Sequence, residues 1–157
     1  GALSIRAALS WPEAEVTGID YWGAVYNYSQ AMCESNAWSE GVSERCRFLH
    51  GDARKLDFPD ETFDAVVSNY VYHNINGSDK KELLLESLRV LKKGGVFALN
   101  DDMKPHMYGD VEAFAEKLRK MGYQEVRIID TAQEAFGSHR RAALMMLGDS
   151  RMLAGRK

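Results

Sequence analysis

The chain has 157 residues, enough for one domain with a real core. It is 45% hydrophobic and 27% charged, with net charge -3, a balance that as a whole gives no sign of a nucleic-acid or anionic-membrane surface. Two cysteines, Cys33 and Cys46, are too few for a disulfide scaffold and lack metal-ligand spacing, which fits a reducing, cytoplasmic setting. No run of about 18 apolar residues is present to cross a membrane, and no signal peptide is recognisable.

In chain order, residues 2–10 read as a helix stopped by Trp11-Pro12, because proline disfavours helix at the residue before it. "AEVTGID", 14–20, is a strand. Residues 24–40 read as a helix with Val25, Tyr28, Met32 and Ser35 on one face, ending at Gly41. "CRFLHGDA" is a strand that runs into a glycine turn. "TFDAVVSNYVY" has the nearly continuous apolar run of a strand buried on both faces. Asp79 and Glu82 match a capping-box variant that starts a helix with Leu84, Leu88 and Leu91 as its stripe, closed by Gly94-Gly95. "VFALNDD" is the next strand. Asp110 caps a helix with Val111, Phe114, Ala115, Leu118 and Met121 at helical spacing. "QEVRIID" is a strand, 138–147 a helix, and "SRMLAGRK" a last short strand. This alternation predicts an α/β fold with a doubly wound, mostly parallel sheet, which binds ligands beyond the carboxyl ends of its strands.

The residues just after each strand are therefore the candidates. Asp20 closes "VTGID" 19 positions after Gly1, the place where an acid grips a ribose diol by accepting bonds from both hydroxyls. Its plainer reading is a solvated acid at a strand end. Gly51 permits a tight turn, after which Asp52 can accept an adenine amine with the Ala53 amide nearby; the alternative is an ordinary Asp turn bond. Ser68 and Asn69 are small polar groups suited to a ligand's amino-acid head. Tyr70, Tyr72 and His73 suit a site wall, or equally packing under the next helix. Asn100, Asp101 and Asp102 emerge at the same edge. Paired acids hint at a metal, but no His or third acid stands at ligand spacing, and solvent-facing caps are the expected role.

Together these stretches resemble the class I S-adenosylmethionine-dependent methyltransferases. "GALSIRAA" is similar to the tail of their glycine-rich loop and first helix, "VTGIDYWG" to the second strand with its ribose-binding acid, and "HGDARKLDFPDETFDAVVSNYVYHNI" to the adenine turn and the run to the fourth strand. "LLESLRVLKKGGVFALND" is the most specific match, to the helix and fifth strand that follow. The resemblance implies a Rossmann-like sheet with an antiparallel last strand, in one methyltransferase domain spanning 1–157 and incomplete at its N-terminus, with S-adenosylmethionine as cofactor. The family's first strand would precede Gly1, and without that mid-sheet strand two half-sheets and weak cofactor binding are expected.

Carried over by position, Gly1 and Ala2 would lie beside the methionine part of the cofactor. Asp20 would hold the ribose with Tyr21 and Trp22 beside it, and Asp52 and Ala53 would meet the adenine. Ser68 and Asn69 would face the sulfonium or the amino-acid end, and Tyr70 and His73 would border the methyl acceptor. His73 is the candidate base, and no metal is required. The pattern is closest to the small-molecule branch, similar to quinone and sterol methyltransferases. The rivals are an NAD(P)-dependent oxidoreductase, which would share Gly1 and Asp20, and a non-catalytic methyltransferase-like fragment.

Overall fold

The computed structural model describes residues 1–22 and 29–157, so Val25 and Tyr28 of the expected second helix face lie outside the described residues. The chain divides into two compact units, Gly1–Lys55 and Leu56–Lys157.

In the first unit, α1 (Ala2–Ser10) precedes β1 (Val16–Asp20), and α2 (Gln30–Ser39) precedes β2 (Cys46–His50). Trp11 ends α1 in an extended conformation ahead of Pro12. β1 and β2 pair in parallel, with Asp20 opposite His50 at their carboxyl ends. Ile5, Ala8, Cys33, Ala37 and Phe48 form a small core between helices and strands. Gly18 explains how α1 comes so close to β1. A Cβ there would stand 2.6 Å from Ser4 Oγ and 3.1 Å from the Phe48 ring. Arg45 fastens the C-terminal end of α1 by donating to the carbonyls of Ala8, Trp11 and Ala14 at 3.0, 3.3 and 3.2 Å. Of these, the Ala8 carbonyl lies in the last turn of α1, which leaves it without an intrahelical partner.

The second unit contains β3 (Phe63–Asn69), a 3-10 turn (Tyr72–Asn74), α3 (Lys80–Arg89), β4 (Leu91–Asp102), α4 (Pro105–Tyr108), α5 (Val111–Lys120), β5 (Gln124–Ile129), α6 (Thr131–Phe136), α7 (His139–Leu144) and β6 (Ser150–Arg156). Its four strands are ordered β3-β4-β6-β5. β3 and β4 are parallel, and β6 runs antiparallel to both β4 and β5. The last strand is thus the reversed one, and β5 points the same way as β4.

Several expectations are corrected. β3 is not buried on both faces: it is an edge strand of its sheet, Val66 packs on the core and Val67 is 50% exposed. Leu91 is buried but opens β4 rather than extending the α3 stripe of Leu84 and Leu88, because a backbone irregularity at Gly94-Gly95 lets the strand begin before the glycines. Asp79 caps α3 through the Lys81 N–H at 2.8 Å, one residue earlier than a capping box places it. Asp110 caps α5 as expected, by accepting from the Ala113 N–H at 2.9 Å. Val111, Phe114, Ala115 and Leu118 are buried, whereas Met121 follows the last helical residue and is exposed. The short helices α4 and α6 lack the apolar period that marks a longer helix, and nothing in the sequence reading anticipated them.

Candidate functional site

In the first unit the candidates gather where β1 and β2 end. The Gly51 N–H donates to the Asp20 carbonyl at 3.0 Å and ties the two strand ends together. The Asp20 carboxylate accepts the Trp22 N–H at 2.8 Å, which bends the chain sharply, with Trp22 at φ 44°. Tyr21 is exposed and lies against the His50 ring, with centroids 5.2 Å apart. Gly1, Gly18, Asp20 and Trp22 are among the residues lining a small cleft of about 40 Å³. Trp22 Nε1 is buried there with no hydrogen-bond partner among the described residues. A Cβ on Gly1 would meet Cys33 at 3.0 Å, so a side chain would fill the space the glycine leaves. Ala2 is the first, exposed residue of α1.

Asp52 is held differently from the sequence picture. Its Oδ1 accepts from the Arg54 N–H and Nε at 2.9 Å, and its Oδ2 from Nε at 2.9 Å and Nη2 at 2.7 Å. The hydrogen bonds from Arg54 hold the carboxyl below the usual carboxylate range. Arg54 thus directs three N–H protons at the carboxylate, and an adenine amine would compete with them for its lone pairs. Ala53 sits inside the turn closed by the Asp52–Lys55 bridge.

In the second unit the ends of β3, β4 and β6 carry two connected hydrogen-bond systems. The first centres on Asp101. Asp101 and Asp102, expected as solvent-facing acids, are instead buried along with Asn100, and Asp101 is 0% exposed. The carboxylate accepts backbone N–H groups of Tyr72 (2.7 Å), His73 (3.3 Å) and Asp102 (2.7 Å). His73 Nδ1 lies 2.5 Å from Asp101 Oδ1. These donors replace the water that a buried carboxylate loses. The imidazole remains 28% exposed. With Nδ1–H donated to the carboxylate, the neutral ring keeps its lone pair on Nε2, the arrangement of an oriented base. Tyr108 is buried nearby. Burial first, and the charge of Asp101 next, push its phenol well above the ordinary range, so it stays neutral. Asp102 is paired with Lys104 at 2.9 Å, and this bond raises the lysine's proton affinity.

The second system begins at Tyr70, whose ring meets His73 edge-on at 6.4 Å. Tyr70 adopts φ 55° and its hydroxyl lies 2.6 Å from Ser150 Oγ. Ser150 Oγ is 2.8 Å from Thr131 Oγ1, Thr131 donates to Asn100 Oδ1 at 2.8 Å, and Asn100 Nδ2 donates to Asn69 Oδ1 at 2.8 Å. The proton count fixes the direction of this chain. Thr131 has one hydroxyl proton, committed to Asn100, so it accepts from Ser150, and Ser150 accepts from Tyr70. Tyr70 therefore presents only oxygen lone pairs to a ligand. Ser68 lies near the buried Tyr72, where burial raises the phenol while the hydroxyls of Ser87 and Ser68 act the other way. Tyr72 also meets Ser87 Oγ at 2.9 Å, which makes it a packing residue rather than a wall of the site.

The structure thus groups Gly1, Asp20, Tyr21, Trp22, Asp52 and Ala53 in one unit, and Ser68, Asn69, Tyr70 and His73 in the other. Sequence reasoning missed Asp101 as the orienting partner of His73, and Ser150, Thr131 and Asn100 as the partners of Tyr70. An Asp two residues past a buried leucine, on a strand next to "YHN", was the available signal for Asp101.

Residues 1–99 match the family model described as "Methyltransferase domain", and the chain belongs to that family. It is similar to a demethylmenaquinone methyltransferase of Listeria welshimeri, 31% identical over 103 residues, covering 66% of this chain and 41% of that protein. A 27-O-demethylrifamycin SV methyltransferase of Amycolatopsis mediterranei is 28% identical over 143 residues, 91% of this chain and 49% of that protein. The chain therefore spans less than half the length of these relatives. Among solved structures, the geranyl diphosphate C-methyltransferase from Streptomyces coelicolor, complexed with Mg2+, geranyl diphosphate and S-adenosyl-L-homocysteine, matches 99% of this chain and 68% of its own with a TM-score of 0.70. At 12% identity that likeness establishes the Rossmann-like fold alone.

Proposed function

We propose that residues 1–157 act as one methyltransferase domain that moves a methyl group from S-adenosylmethionine to a small-molecule acceptor by in-line displacement. The observation that carries the acceptor side is the His73–Asp101 pair, a base-oriented imidazole beside an acceptor-only Tyr70. The cofactor side is supported by the family match, by Asp20 at a strand end beside a small cleft bordered by Gly1 and Gly18, and by Trp22 Nε1, buried with no hydrogen-bond partner among the described residues.

The roles divide by unit. In the first, Asp20 holds the ribose hydroxyls flanked by Tyr21 and Trp22, Asp52 and Ala53 meet the adenine edge, and Gly1 and Ala2 border the methionine portion. In the second, Ser68 and Asn69 serve the sulfonium or amino-acid end. Bound S-adenosylmethionine supplies a methyl on a positively charged sulfur, already activated for transfer.

What the protein adds is mainly alignment, which can lower a barrier by roughly 7–11 kcal/mol. His73 Nε2 takes the proton of an acceptor hydroxyl or acidic carbon, adding on the order of 10²–10⁴-fold. Asp101 fixes the tautomer and stabilises the imidazolium. Tyr70 accepts a hydrogen bond from the acceptor or the cofactor's ammonium, with its own proton committed to Ser150. The free, buried Cys33 and Cys46 support a reducing cytoplasmic location. No nucleic-acid partner is proposed.

The test is transfer of label from S-adenosyl-[methyl-14C]methionine to a panel of small hydroxyl- and carbon-acid acceptors that includes demethylmenaquinone. Acceptor-dependent label together with release of S-adenosylhomocysteine supports the reading. Hydride transfer from NADH with no methyl transfer would place the chain among oxidoreductases instead.

A further inference from the structure

The end of α7 carries an unusual surface. Leu144, Met145 and Met146 are consecutive, and 84%, 64% and 80% exposed. Ala142 in the same helix is fully buried, so α7 packs by one side while these three side chains project from its end. The projection is ordered. The N–H groups of Met145 and Leu147 both donate to the Ala142 carbonyl at 2.9 Å, and that of Met146 to Ala143 at 3.0 Å. Met146 is held at φ 60°, a conformation uncommon for a residue with a side chain. His139 anchors the base of the helix through Asp130 Oδ2 and the Gly148 carbonyl, each at 2.8 Å. Arg140 and Arg141 are exposed, four and three residues before Leu144, and so lie on its helix face. No acidic residue occurs between Glu134 and Asp149, although the whole chain has net charge -3.

We propose that α7 and the Leu144–Met146 turn form a contact tip for an anionic lipid surface. Leu144, Met145 and Met146 enter the headgroup boundary, and Arg140 and Arg141 pair with lipid phosphates. A bilayer fits better than a protein partner for two reasons. A stable protein interface takes about 20–30 residues a side with matched shape, whereas this apolar tip has three. Flexible methionines can sink into a fluid without complementary shape, and the two arginines match a negatively charged membrane. The proposal does not depend on the cofactor reading.

Co-sedimentation of the full chain with unilamellar vesicles tests it, using phosphatidylcholine alone and an equal mixture with phosphatidylglycerol, at low and high salt. The expected result is binding to the mixed vesicles that weakens with salt, and at least about tenfold weaker binding to the neutral ones. L144S/M145S/M146S should lose binding. R140E/R141E should lose at least about 25-fold, near fivefold for each removed basic residue. Both variants should keep the wild-type circular dichroism spectrum, because the altered side chains are exposed. Three results would overturn the proposal: no binding to either vesicle, equal binding to both, or binding unchanged in the triple variant. A dimer in light scattering that L144S/M145S/M146S abolishes would also overturn it, by assigning the tip to self-association.

Discussion

His73 Nδ1 lies 2.5 Å from Oδ1 of the fully buried Asp101, so the ring's other nitrogen is the one left free to take a proton. Asn at position 101 can present an N–H to Nδ1, which reverses the tautomer and leaves Nε2 protonated. For an acceptor that must lose a proton, His73→Ala and Asp101→Asn should each lower kcat by about 10²–10⁴-fold. Affinity for S-adenosylhomocysteine should be unchanged in both variants. Single-turnover rates beside calorimetric Kd values check this, and a wild-type rate in either variant would remove the dyad from the chemistry.

Tyr70 donates to Ser150 and so meets a ligand only as an acceptor. Tyr70→Phe should raise KM for an acceptor that offers an O–H or N–H, by about 2- to 12-fold for one neutral hydrogen bond of roughly 0.5–1.5 kcal/mol. An acceptor without a donor should show no such rise. Steady-state kinetics with matched acceptor pairs, such as a phenol and a carbon acid lacking that hydroxyl, distinguish the two outcomes.

When protonated, His139 donates from both ring nitrogens, to the Gly148 carbonyl and to Asp130. The Gly148 bond, then the Asp130 bond and charge, raise its proton affinity above the ordinary histidine value. A raised folded-state pKa means the contribution to stability is complete below about pH 6.5, the unfolded value, and fades as pH rises through the folded one. Thermal melts of wild type and His139→Gln should therefore differ at pH 5.5 and converge by pH 8.5. A gap that widened with pH would contradict the clamp.

Packing makes a contrast between inside and outside. Leu118 is fully buried, so Leu118→Ala should destabilise by about 2–5 kcal/mol. A Cβ on Gly95 would stand 2.6 Å from Leu91 Cδ1 and 2.8 Å from the Asp64 carbonyl. Gly95→Ala should cost about 1–3 kcal/mol. Leu144→Ser, on the surface, should stay within about 0.5 kcal/mol. Urea titrations of the three variants give the comparison directly.

Much of this arrangement was legible in the sequence because local signals and tertiary roles agreed. Trp11-Pro12, the Asp110 cap and the Phe114–Leu118 stripe placed their elements close to where they occur. The strand-end rule picked out Asp20, Asp52, Tyr70 and His73, and these lie at or just past the ends of β1, β2 and β3. Burial of a charge was not legible. Asp101 reads as an ordinary surface acid until the Tyr72 and His73 amides fold over it. The Arg54 grip on Asp52 is a side-chain choice that spacing does not encode. The Tyr70 chain joins residues up to 80 positions apart, which no local window contains.

Titration calorimetry with S-adenosylhomocysteine, on wild type and Asp20→Ala, tests the central claim most directly. A carboxylate that accepts both ribose hydroxyls contributes about 1.5–3 kcal/mol per charged hydrogen bond, so saturable wild-type binding should weaken at least about tenfold in the variant. NADH should give no heat of binding. Saturable NADH binding with none for S-adenosylhomocysteine, or S-adenosylhomocysteine binding that is indifferent to Asp20, would contradict it.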